Sequence, residues 1–263
     1  MEQQTLKSLV EKSTDKLGVF TDPSKLDLVN FNFDELISVI NEFLSDEEKR
    51  TILEAENRRK LSIYLNLTIY PNKIIDKILP TISSSVIMQI LQDSNLLEKY
   101  DFSSGEIRKI IENLDDKTKI ELLFNEDFVK NKLKLNEFDI SIIIETLEDE
   151  SMKLKMIEYY EIMSIYHIEI ILTSFTSESI KSILLEGKYV WVKEDIPGLV
   201  ALMDVNHIVS FLIENKDFLT QNNIYPFSII RKLSSEEQLE FIKNMENIGL
   251  SMRRKNTNFS CVK

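Results

Sequence analysis

Seven times along the chain an apolar residue is followed by Ser, Thr or Asp, or one step later by Asp, and then by acidic or polar residues. The seven are Leu44, Ile82, Leu114, Leu147, Phe175, Met203 and Leu233, spaced 28 to 38 residues apart. Positions −7, −4 and −3 before each of these anchors are apolar almost throughout: Ile75, Ile78 and Leu79, then Ile107, Ile110 and Ile111, then Ile140, Ile143 and Ile144. The series continues with Ile168, Ile171 and Leu172, then Ile196, Leu199 and Val200, then Pro226, Ile229 and Ile230. The first copy has Ile37 and Ile40, with Asn41 as its polar exception. Apolar residues at i, i+3, i+4 and i+7 line one face of an α-helix, so each triplet with its anchor is the buried stripe of a helix, here called B.

Downstream of each anchor a second helix, A, is predicted. Ser45 with Glu48 and Ser234 with Glu237 have the spacing of a capping box, while Asp115, Thr176 and Asp204 can cap alone. Apolar pairs at +8 and +9 give A its inward face: Ile52–Leu53, Ile90–Leu91, Leu122–Leu123, Ile183–Leu184, Phe211–Leu212 and Phe241–Ile242. The copy after Leu147 is out of step, with Leu154, Met156 and Ile157 as its face. The connectors that follow carry Leu96–Leu97, Phe128–Val129, Tyr189–Val190 and Phe218–Leu219, read as plugs between hairpins. A helix pair this short cannot bury its own face, so the expected fold is all-α, an α-solenoid of about seven stacked two-helix repeats. It occupies residues 1–244 as one domain, opening with a helix over Thr5–Leu17 and followed by a flexible basic tail, 245–263, with Arg253, Arg254, Lys255 and Lys263.

Composition agrees. Among 263 residues there are only 5 Gly and 5 Pro, too few for turn-rich β architectures. The net charge of −12 disfavours a polyanion partner, because neutralising phosphates needs clustered Lys and Arg; nucleic acid is not expected. A lone Cys261 excludes an intramolecular disulfide and a multi-cysteine metal site. The longest apolar run, Leu199–Met203, is far too short to span a membrane, so a soluble protein is expected, cytoplasmic or delivered into a host cytoplasm.

Candidate chemistry is sparse. His167 and His207 stand near helix starts in different repeats and suit surface or capping roles; no hydrolase, kinase, phosphate-loop or zincin string occurs. No enzyme, cofactor or metal is expected. Carboxylates gather in the first turn of the A helices, among them Asp115, Asp116, Glu148, Asp149, Glu236 and Glu237. There they complement the helix dipole, and a solenoid would also line them up as an acidic ridge that attracts a basic protein segment. The connector Glu186–Gly198 carries the chain's only Trp, Trp191. That residue is either core or an exposed interface anchor; it and Tyr189 are the apolar partner-binding candidates, with Tyr189, which aligns with a plug, as the packing control. A second irregular stretch, Tyr64–Pro71, has no assigned role.

In pattern alone the units resemble those of HEAT and TPR arrays, over about Phe31 to Asn244. The TPR and ankyrin signature residues do not accompany the pattern, so no family is named. Three functional classes follow. A non-catalytic protein-binding scaffold with a basic-segment partner is preferred. The alternative is an accessory or targeting module of a larger enzyme, such as a bacterial effector or toxin, whose catalytic part lies outside this chain. An RNA-reading repeat is disfavoured, because positions −6 and −5 of the B helices show no recurring Arg or aromatic.

Overall fold

The apolar stripes become helices. The computed structural model describes residues 5–67, 73–160, 163–186, 191–247, 251–255 and 258–262, and apart from one two-stranded hairpin its regular elements are helical. The chain forms two compact units, Met1–Ile143 and Ile144–Lys263.

Unit 1 opens with α1 (Leu6–Lys12) and α2 (Lys16–Thr21), where the sequence predicts a single helix. The break has a local cause. Ser13 Oγ accepts the Asp15 N–H, and the Asp15 carboxylate accepts the Gly18 N–H at 2.8 Å, so a new helix start is capped in mid-pattern. Then come α3 (Phe33–Phe43, a B helix), α4 (Asp46–Ile52, A) and α5 (Ala55–Tyr64). The next copy is α6 (Lys73–Ile78, B), α7 (Ser84–Gln92, A) and α8 (Ser94–Tyr100). The third is α9 (Ser104–Glu112, B), α10 (Asp116–Leu123, A) and a π-helical turn at Phe128–Lys132. The division between the units falls inside α11 (Glu137–Glu145), the fourth B helix.

Unit 2 continues with α12 (Glu150–Tyr159, A), α13 (Ile165–Leu172, B), α14 (Ser177–Leu185, A), α15 (Ile196–Val200, B) and α16 (Val205–Glu214, A). After α17 (Lys216–Gln221) come the last pair, α18 (Pro226–Ile230, B) and α19 (Ser235–Asn247, A). The expected tail, 245–263, contains the end of α19 and an antiparallel hairpin, β1 (Ser251–Lys255) and β2 (Asn258–Val262), beside α18 and α19. The connectors are more structured than simple plugs: α5, α8, α17 and the π turn occupy them, so several copies hold three helical segments.

All seven anchors are buried, and the fully hidden side chains include Ile40, Ile78, Ile140, Ile143, Ile144, Ile171, Leu199, Val200 and Ile229 of the B stripes. The inward A pairs are buried too, with one exception. Ile242 is 43% exposed, since α19 is the last A helix and, among the described residues, no later helix pair lies over it. Ile168 and Pro226 are half-buried. The copy after Leu147 is out of step because its cap is Asp149 rather than residue 148; this shifts Met156 and Ile157 one place along and keeps them in the core.

Candidate functional site

Nearly every A helix starts on a side-chain cap. The Ser45–Glu48 box is formed in both directions, and Ser234–Glu237 exchanges the same pair of bonds at 2.7 and 3.3 Å. Asp115 accepts the Thr118 N–H at 2.9 Å, Thr176 Oγ1 accepts the Ser179 N–H, and Asp204 accepts the His207 N–H at 3.1 Å. Three caps on B helices escape the sequence reading: Asn32, which accepts the Glu35 N–H at 2.8 Å at the start of α3, a box at Ser103–Glu106, and a reciprocal pair between Asn136 and Asp139.

The caps also tie one repeat to the next. In unit 1, Asp46 at the start of α4 accepts the Ser83 N–H at 3.0 Å from the cap of α7. In unit 2, Glu150 of α12 accepts the Thr176 N–H at 2.7 Å and the Ser179 hydroxyl of α14. Ser177 of α14 then donates to Asp204 at 2.8 Å and accepts the Asp204 N–H at 2.9 Å. These bonds hold successive A helices with their first turns level. The caps and the bonds between them also lower carboxyl pKa values: Asp46 through Ser83, Asp115 chiefly through the Thr118 N–H, Asp149 through Ser151, and Glu237 through Ser234. For Asp204 partial burial opposes the shift, but the bonds from Ser177 and His207 outweigh it.

Three lysines are buried at the fourth residue of an A helix: Lys49, Lys119 and Lys153. Lys49 Nζ donates to the Thr81 carbonyl at 3.4 Å, just after α6, and Lys153 Nζ donates to Ser174 Oγ at 2.6 Å, just after α13. In each unit a cation therefore meets the C-terminal end of the following B helix, where the helix dipole is negative. Ile87, Ile180 and Ile208 hold the same place in other copies.

His207 joins two A helices. Its Nδ1 lies 2.5 Å from Asp204 Oδ2 and its Nε2 lies 3.2 Å from Glu178 Oε1 of α14. Ser177, Asp204 and His207 are thus adjacent, but the Ser hydroxyl faces the carboxylate rather than a ring nitrogen, so the trio is no nucleophile–base pair. Its two carboxylates contact opposite ring nitrogens and share no common point for an ion. Among the described residues no group of three or more His, Cys, Asp or Glu is arranged to hold a metal. His167 bonds Ser164 Oγ at 2.9 Å near the start of α13.

Of the residues singled out in the sequence, Asp115, Asp116, Asp149 and Glu237 are engaged within the chain, Asp116 with Lys119 at 3.3 Å. Glu148 and Glu236 are exposed. Trp191 is half-buried with its indole nitrogen hidden, while Tyr189, like Thr68 and Tyr70 of the second irregular stretch, lies outside the described residues.

A feature the sequence reading missed is an exposed apolar residue at the C-terminal end of A helices. It stands ten places after the anchor in three copies: Phe124 at 44% exposed in unit 1, and Leu185 at 39% and Ile213 at 37% in unit 2. In the shifted copy the equivalent position is Glu158, and its neighbour Tyr159 is 41% exposed. Repeat alignment carried one position past the inward pair would have found it. Beside Leu185 an open groove of about 600 Å³ runs along α14 from Glu178 to Glu186.

Comparison with known proteins gives no match: no family model, no curated protein and no solved structure is similar to the chain. Among the described residues no helix is long and apolar enough to cross a membrane.

Proposed function

We propose that this chain is a non-catalytic protein-interaction module, a solenoid-like stack of helical repeats within each unit, whose partner presents a basic segment. The observation that carries the reading is the recurrence of exposed apolar side chains at one repeat position, Phe124, Leu185 and Ile213. Core packing does not account for them, and scattered surface hydrophobes would not recur in register. The acidic surface supports the sign of the partner's charge, since complementary charge steers association. The first-turn carboxylates support the stack rather than the partner, because most of them bond inside the chain.

A selection of random peptides displayed against the whole chain tests this. Enrichment of sequences that combine Lys or Arg with apolar residues, bound less well at high salt, is expected. Enrichment of nothing, or of acidic sequences, overturns the proposal.

A further inference from the structure

We infer that the exposed face of α19 is a dimerisation surface, through which two copies of this chain pair as antiparallel helices about a two-fold axis. The inference goes beyond the interaction reading above and does not depend on it.

Three observations carry it. First, the seam between successive A helices is open at α19. Nine places after the anchor, Leu53, Leu91, Leu123, Leu184 and Leu212 are buried, as is Ile157 in the shifted copy. Ile242 holds that place in α19 and is 43% exposed. Three places earlier, Val209 of α16, the helix against which α19 packs, is buried, whereas its counterpart Leu239 is 62% exposed. The hairpin of β1 and β2 lies beside α18 and α19 and leaves both side chains open.

Second, the strip fits a second copy of itself. Leu239 and Ile242 have the spacing of positions a and d in a heptad, the residues that interlock when two helices pair. With the two-fold axis crossing α19 between Glu240 and Phe241, Leu239 of one copy meets Ile242 of the other, and the contact is made twice. The first helix of the chain offers no such strip, since the exposed residues of α1 are Lys7, Glu11 and Lys12. Head-to-tail growth would set those charges against apolar side chains, while pairing α19 with α19 closes at two copies.

Third, the charges beside the strip are self-complementary. Glu236 and Lys243 are both exposed, and among the described residues neither has an ion-pair partner. Seven residues apart on one helix, they project to the same side of the strip, within about 20° of each other. In the antiparallel pair Glu236 of one copy stands within about 3 Å, measured along the axis, of Lys243 of the other, again twice. In a parallel pair the two would lie on opposite edges of the seam and could not meet, so charge selects the antiparallel arrangement.

Sedimentation velocity of the full chain tests this at physiological salt, where the repulsion between two acidic bodies is screened beyond about 8 Å. One pair of 13-residue helices makes a small interface, so the dimer is weak and the concentrations should run from about 1 µM to about 1 mM. The mass should rise with concentration from that of one chain towards that of two, and no further. Glu236→Lys and Lys243→Glu should each weaken association about tenfold, because each turns two attractive pairs into like-charge pairs. An equimolar mixture of these two variants restores both attractive pairs and should associate as tightly as the parent chain. Leu239→Ser/Ile242→Ser should abolish the dimer; all four side chains are exposed, and a thermal melt checks each fold. A monomer at every concentration, a dimer indifferent to these variants, or growth beyond two copies overturns the inference. So does a mixture that associates no better than its components.

Discussion

Arg58 is the residue whose loss should damage unit 1 most for its size. It lies on α5 with its side chain 11% exposed, and it makes three directed bonds. Nε donates to the Leu53 carbonyl at the end of α4 at 2.7 Å, Nη2 to the Tyr100 carbonyl at the end of α8 at 2.5 Å, and Nη1 to Glu106 at 3.1 Å. Glu106 is itself 7% exposed and closes the capping box that starts α9. One guanidinium thus holds two helix C-termini and one N-terminus, and its face lies 4.9 Å from the Phe102 ring centroid. Removing one partner of a buried ion pair costs about 3–5 kcal/mol, because the other charge stays buried and unanswered. Arg58→Ala should therefore lower the melting temperature of unit 1 by roughly 6–20 °C, at about 2–4 °C per kcal/mol. Arg58→Lys should lose most of the same stability, since an ammonium cannot aim three N–H groups along the planar fork. The double variant Arg58→Met/Glu106→Gln should recover part of it by removing the stranded carboxylate. Calorimetry and urea unfolding followed by circular dichroism measure these. A loss under about 1 kcal/mol for Arg58→Ala would refute the assignment, because that is the range of an exposed pair.

Three further outcomes follow from burial and charge. Ile110→Asp and Ile143→Asp should each abolish cooperative helical unfolding, since an unpaired carboxylate in the core costs several kcal/mol; an unchanged melt by circular dichroism would mean that the stripe is not the core. Asp46, Asp115 and Asp149 have folded pKa values below their ordinary 3.8, and Glu237 below 4.5, so their stabilisation is present above those values and lost as pH falls through the folded ones. The melting temperature should hold between neutrality and about pH 5 and fall below it, and Asp46→Asn should flatten that fall; a protein more stable in acid would contradict the sign. Trp191→Ala should lower stability while leaving binding of the display-selected peptides intact, as a half-buried packing residue would; a variant that melts normally but loses those peptides would make Trp191 an anchor after all.

The B stripes and most caps were legible because both are local. A 3.6-residue period and a Ser or Asp three places from its partner N–H need no knowledge of the rest of the chain. What stayed hidden depends on residues brought together from different repeats. Arg58 reads as one more charge in a polar helix, yet its partner Glu106 is 48 residues away. The buried lysines show the same limit in milder form. Lys49 and Lys119 stand five places after their anchors, where other copies have Ile87, Ile180 and Ile208, so the repeat alignment marks that site as inward. Only the structure shows that the next helix end can take an ammonium there. The break between α1 and α2 was missed for the opposite reason: Ser13 and Asp15 compete for the backbone locally, and the apolar spacing outvoted them.

The two groups of carboxylates on the A helices differ in what they do for the fold, and this separates stability from binding. Those in the first turn sit where the dipole favours them, and Asp46, Glu150 and Asp204 accept an N–H or a hydroxyl from the neighbouring repeat, so their placement is explained without a partner. Glu186 is the reverse case. It caps the C-terminus of α14, an end that a cation would stabilise, and its hydrogen bond within the chain is a 2.6 Å contact from Ser182 one turn back. Exchanging it for Lys should raise stability by a few tenths of a kcal/mol through the dipole while weakening the binding of display-selected basic peptides through lost attraction and added repulsion. Opposite signs in one variant are the signature of a residue kept for recognition at some cost to folding. A Glu186→Lys protein that melts lower, or that binds the display-selected basic peptides as tightly as before, would place Glu186 among the ordinary surface charges and leave the partner's charge to be set elsewhere on the surface.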